Sequence, residues 1–155
     1  MKKRMIYLVL LGILLAPVIV LALFSVLAKK PDNLGVTDGK LAPCPNTPNC
    51  VSTQAVDDSH RIAPLAFDCA PAEAMKRLKA AIAALPRLHI ITETEEYLHV
   101  EATSLIFRFV DDVEFFVDCK ANLIHFRSAS RVGRSDLGVN RARMEQVRKL
   151  FIGCS

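Results

Sequence analysis

The sequence predicts an α+β fold, with an antiparallel sheet of four or five strands, two helices packed on one of its faces, and an apolar helix ahead of the domain. Three observations predict it. Met5–Ala28 holds no charged side chain, apolar residues recur at helical spacing over residues 71–85 and 136–152, and the period changes to two over residues 88–130. Short turn-rich connections between the alternating segments favour an antiparallel meander, and helices flanking such a sheet give a two-layer sandwich.

The apolar run lies between Lys2, Lys3, Arg4 and Lys29, Lys30. As a helix it would reach about 36 Å, enough for a hydrocarbon core of roughly 30 Å. Pro17 is tolerable in a membrane helix. A secretory signal cleaved after Ala28 is the rival, but signal cores are about 7–15 residues. An uncleaved anchor is the reading adopted, with the membrane as a partner. The basic residues before the helix place the N-terminus inside and the domain in the periplasm or an equivalent exported compartment.

Three of the charges behind the net +4 are Lys2, Lys3 and Arg4, which leaves 17 basic residues against 16 acidic ones. That near-balance removes the general electrostatic case for nucleic acid. The remaining length suits one domain, read as residues 61–155, after an irregular strap over 29–60 rich in Pro, Gly and Asn.

Within the strap, Cys44 and Cys50 enclose Pro-Asn-Thr-Pro-Asn. Two cysteines so spaced in an exported domain favour a disulfide. A metal clip or a redox thiol are the alternatives, but a metal would need two more soft ligands from Cys69, Cys119, Cys154 and four scattered histidines. No metal and no cofactor is expected. Of the five cysteines, Cys154 is the expected odd one.

The first helix is expected over Pro71–Leu85, with Met75, Leu78, Ile82 and Leu85 on one stripe, Pro71 in the first turn and Pro86 as its stop. Strands are expected near 88–94, 97–109, 113–118 and 123–130, with a possible fifth over 61–67. The second helix is expected over Asp136–Ile152, capped by Ser135 or Asp136, with Leu137, Met144, Val147 and Phe151 on its inner face.

Charge is segregated along the domain. Glu93–Asp118 carries eight acids against Arg108 alone, and Lys120–Lys149 carries eight bases against Asp136 and Glu145. If the strands are neighbours, Asp111 and Asp112 should meet Arg131 and Arg141. The bland account is that Asp111, Asp112 and Glu114 form ion pairs with Arg127, Arg131, Arg134 or Arg141, fixing the last strand and the loop after it, worth 0–1 kcal/mol each if exposed. The sharper account is a pocket for an anionic small molecule, a lipid headgroup or a protein partner. It would be built from Asp111, Asp112, Arg127, Ser128, Ser130, Arg131, Arg134, Asp136, Asn140 and Arg141, because basic and hydroxyl side chains lead through Gly133 to a helix N-terminus. No Gly-x-Ser-x-Gly elbow is present and no Ser or Cys is expected to be tied locally to a His and an acid, so the chain reads as a binding or accessory module before a cell-envelope enzyme. A purely structural interaction domain is the third reading.

Four segments together carry a family resemblance: Cys44–Ser52, His60–Pro64, Phe107–Phe115 and Arg127–Arg141. With them, residues from about 41 to 152 resemble the domain-of-unknown-function family numbered fourteen ninety-nine, whose members occur in bacteria and plastids. The resemblance implies one domain with that boundary and supplies no catalytic residue. A shared site would fall on its motif positions, which are Cys44, Cys50, Gly133 and the candidate-pocket residues other than Arg134.

Overall fold

The structure is a computed structural model and describes residues 2–153. The helix α1 (Lys2–Leu27) is followed by short strands β1 (Val36–Thr37), β2 (Lys40–Leu41), β3 (Cys50–Ser52) and β4 (Leu65–Ala66), then α2 (Pro71–Ala83). Four longer strands follow, β5 (Leu88–Glu93), β6 (Tyr97–Thr103), β7 (Val110–Asp118) and β8 (Leu123–Ser130), and α3 (Val139–Gly153) completes the order. Among the described residues α1 alone is long and apolar enough to cross a membrane, and its side chains from Met5 to Val20 stand exposed.

The main sheet has six strands rather than four or five. It runs β3-β8-β7-β6-β5, with β4 also on β8, and every pairing is antiparallel. The two extra members are the short strands that add to the free edge of β8, and segments of two or three residues leave no periodicity to read. The expected strand over 61–67 is only Leu65–Ala66. The segment read as an irregular strap supplies β3, and it also supplies a separate hairpin in which Asp38 and Gly39, both at positive φ, make the turn between β1 and β2. The expected strand over 97–109 stops at Thr103. Arg108 takes a left-handed φ of 58° at the close of a loop spanning 104–109, which ends the pairing with β7.

Alternation sorts the side chains by face. Leu98 and Val100 of β6, Val113, Phe115 and Val117 of β7, and Ile124 and Phe126 of β8 point to one face and are wholly buried. They meet Ala74, Met75, Leu78 and Ile82 of α2 and Met144, Val147 and Phe151 of α3 in one core. Each such side chain contributes about 1.5–3 kcal/mol on burial. The helices lie against each other as well as on the sheet, α3 over β3 and β8 and α2 beside β5. α3 begins at Val139, three residues later than expected, so Leu137 lies outside it, 94% exposed, instead of on its inner face.

Candidate functional site

The pleat of β7 sends the neighbouring carboxylates Asp111 and Asp112 to opposite faces of the sheet, so the ten expected pocket residues do not form one site. Two polar clusters result.

On the face away from the helices, Asp112 is the hub. Arg131 donates Nε to its Oδ2 at 2.8 Å and Nη2 to its Oδ1 at 2.7 Å, and His99 Nε2 donates to Oδ1 at 2.8 Å. The same guanidinium also donates to Glu101. Asp112 and His99 are each 1% exposed, and His99 Nδ1 is buried without a partner among the described residues. Burial pushes the Asp112 carboxyl up, but the hydrogen bonds and charges of Arg131 and His99 together hold it below the usual carboxylate value. The Asp112 bond raises the Arg131 guanidinium above its ordinary value. Two residues along β7, Glu114 accepts from Arg127 at 3.2 Å, from the Tyr97 hydroxyl at 2.8 Å and from the Gly35 backbone N–H at 2.7 Å. Burial, then the Glu114 charge, pushes the Tyr97 phenol well up. Gly35 thereby ties the segment following α1 across this face.

His99, Glu101 and Asp112 bring ligand atoms within 4.8 Å of one another, the kind of donor set that takes a divalent cation. The guanidinium of Arg131 already stands between the two carboxylates, so the positive charge that this donor set calls for is supplied by the chain itself.

On the helix side, Asn140 of α3 is fully buried and joins three segments. Its Nδ2 donates to the Asn49 carbonyl at 3.1 Å and to Ser130 Oγ at 3.0 Å, and its Oδ1 accepts from Ser128 Oγ and, at 2.7 Å, from Arg143. Arg143 continues to Asp111 at 2.6 Å. Asn49 Nδ2 donates to the Gly133 carbonyl at 2.7 Å, which seats the Cys44–Cys50 loop against the start of α3. The Sγ atoms of those two cysteines lie at disulfide distance with Cα atoms 5.7 Å apart. Cys69 and Cys119 are free, and Cys154 falls outside the described residues.

The helix N-terminus expected to attract an anion is occupied by the chain's own carboxylate. Asp136 accepts the Asn140 N–H at 2.7 Å and the Gly138 N–H at 3.0 Å. Arg141 does not reach either aspartate. It points away and donates to the Ser59 and Arg61 carbonyls, both at 2.9 Å. Arg134 is exposed. Three of the four arginines expected to face an anion are thus engaged within the protein, two on buried carboxylates across the sheet and one on backbone carbonyls.

Beside the Asn140 cluster lies an open cleft of about 480 Å³ between the 104–109 loop and the approach to α3. Phe109, Val132 and Val139 give it apolar walls, Ser104, Ser130 and Ser135 contribute hydroxyls, and Asp111 and Asp136 contribute carboxylates. A second hollow of about 250 Å³, lined by Leu85, Leu88 and Arg143, adjoins it across Ser104, Asp111 and Val139. Of the expected pocket residues Asp111, Ser130 and Asp136 line the cleft, and Ser128 and Asn140 lie beneath it. No histidine or cysteine lines either hollow. Contrary to the expectation that no Ser is tied locally to a His and an acid, Ser59 Oγ donates to Asp57 at 2.6 Å and His60 Nδ1 lies 2.7 Å from the same carboxylate, but the three close a local turn outside both hollows.

Sequence reasoning missed His99, Glu101, Tyr97, Asn49 and Arg143, whereas Glu114 meets Arg127 as the ion-pair reading expects. The register held a signal for the first three. Tyr97, His99 and Glu101 share the phase opposite to Leu98 and Val100, and so stand beside Asp112 and Glu114 once β6 and β7 pair. Arg143 is one helical turn from Asn140.

No curated protein and no solved structure matches the chain. A family model for proteins of unknown function (DUF1499) matches residues 40–151, which takes in β3, the whole meander, the cleft and both polar clusters apart from Gly35. The chain belongs to the DUF1499 family.

Proposed function

We propose that the protein is a membrane-tethered, extracytoplasmic binding module whose ligand site is the cleft between the 104–109 loop and the start of α3. The observation that carries this reading is that the cleft stays open beside a polar framework whose Arg143 and Asn140 are engaged within the protein. Apolar walls with a few convergent hydroxyls and carboxylates are the usual make-up of a small-molecule site. The lining favours an amphipathic ligand, with an apolar body against Phe109, Val132 and Val139 and a head that donates hydrogen bonds to Asp111, Asp136 or the serines. The paired arginines speak against a small anion as the ligand. α1 and its basic flank support the tether, and the positive charges ahead of it support export of the domain.

The test is native mass spectrometry of the full-length protein purified from its membranes in mild detergent, beside Val132→Trp, which fills the cleft. The expected result is a bound small molecule on the unaltered protein that Val132→Trp loses while its melting temperature holds. A protein that carries nothing, or that keeps its passenger when the cleft is filled, overturns the reading. A reporter enzyme active only after export, fused beyond Lys30, is expected to be active, and activity only of a cytoplasmic reporter would overturn the topology.

A further inference from the structure

We propose that the 104–109 loop is a second membrane contact, which lowers Leu105 and Ile106 into the headgroup region of an anionic bilayer beside the end of α1. This rests on the reading of α1 as an uncleaved anchor and goes beyond it, because a tether alone would leave the domain free to hang clear of the surface.

Three observations carry the inference. Ser25, in the last turn of α1 and 7% exposed, donates its hydroxyl to the Arg108 carbonyl at 2.6 Å. A hydrocarbon core of roughly 30 Å consumes about 20 helical residues, so a span that starts near Met5 brings Ser25 to the far interface, and the 104–109 loop with it. That loop presents adjacent large apolar residues to the outside, Leu105 at 71% and Ile106 at 76% exposure. Behind them Phe107 and Phe109 pack with ring centroids 5.6 Å apart and support the tip. Exposed Lys29 and Lys30 follow α1 and exposed Arg108 lies in the loop itself, against exposed Asp32 in the segment after α1. Amphipathic segments with this arrangement rest in the headgroup–acyl boundary, with basic residues drawn to anionic lipid.

The arrangement bears on the cleft as well. Ser104 and Phe109, the two ends of the loop, both line it, so seating the loop in the interface would set the cleft mouth against the membrane surface, where an amphipathic ligand is most concentrated.

The chain contains no tryptophan, so a single introduced one reports without background. Full-length Leu105→Trp, Ile106→Trp and Leu14→Trp, the last in the middle of α1, would be reconstituted separately into phosphatidylcholine–phosphatidylglycerol vesicles with and without brominated acyl chains. Residues that sit roughly 5–10 Å into the boundary are within reach of the bromines. Bromolipid is expected to quench tryptophan at 105 and 106 about as strongly as at 14, with little further loss to aqueous acrylamide. If the loop tryptophans are quenched by acrylamide and spared by bromolipid while the one at 14 is quenched, the docking is overturned and the anchor stands. If the tryptophan at 14 is spared too, the anchor reading itself fails and takes the docking with it.

Discussion

Replacing Arg131 by Ala tests whether the polar face of the sheet is a closed structural network. The guanidinium gives Asp112 two hydrogen bonds, at 2.7 and 2.8 Å, and a third to Glu101. The Asp112 carboxylate is 1% exposed, so water cannot take its place. Removing one partner of a buried pair costs about 3–5 kcal/mol because the other charge is left uncompensated, whereas an exposed pair would cost 0–1. For a domain of this size the larger figure lowers the melting temperature by roughly 10–25 °C. The assay is a urea titration of full-length protein in detergent, followed by circular dichroism in the strand region, so that α1, held helical by the micelle, contributes a constant background. Adding Asp112→Asn to Arg131→Ala removes the stranded charge and is expected to recover part of the loss. A single-variant loss below about 1 kcal/mol would refute the reasoning, because it would mean that water reaches Asp112.

Four further outcomes are expected. The lowered value of Asp112 makes its contribution one that is present above its unfolded value of about 3.9 and is lost as pH falls below that, so the urea midpoint should drop steeply in acid and less steeply in Asp112→Asn. Asn140→Ala removes four side-chain hydrogen bonds at once, to the Asn49 carbonyl and Ser130 and from Ser128 and Arg143, and should cost more than the roughly 1–3 kcal/mol of one unsatisfied buried group, measured by the same titration. Arg141→Ala loses only bonds to backbone carbonyls at the exposed rim and should cost about 1 kcal/mol or less. Unreduced peptide mapping should show Cys44 joined to Cys50, and opening that short loop should cost about 2 kcal/mol on the chain-entropy account, with free alkylatable thiols in native protein as the contrary result.

The elements legible in the sequence were those long enough to show a period. The β7 and β8 segments and the buried face of α2 follow directly from alternation and helical spacing, since Val113, Phe115 and Val117 or Met75, Leu78 and Ile82 have one face to hide. β6 was overrun because Ile106, Phe107 and Phe109 continue an apolar stretch that nothing local breaks, and only the backbone turn at Arg108 takes it out of the sheet. Leu137 reads as helical because it is apolar, although Asp136 receives the N–H groups of Gly138 and Asn140 and α3 starts between them, at Val139. In the site, opposite charge blocks pointed to Asp112 meeting Arg131. They could not show that adjacent aspartates diverge, or that Arg141 would be spent on the segment at 59–61, since the first depends on the phase of one strand and the second on where a loop passes.

The pairing of β3 with β8 sets an order of assembly. The residues joined there, such as Val51 and Ser128, are far apart along the chain, and such pairings are slow because a long loop must close before any contact rewards it. Synthesis delivers the strap early, right behind α1, yet the edge it must join is among the last parts to emerge. Until then Gly35 has no Glu114 to bind and Asn49 has no Asn140, while the cysteines at 44 and 50 are near enough in sequence to find each other at once. The covalent loop can therefore exist before the sheet, and it would arrive at the edge of β8 as a preformed piece, whose docking completes the fold from the end of the chain back toward its beginning.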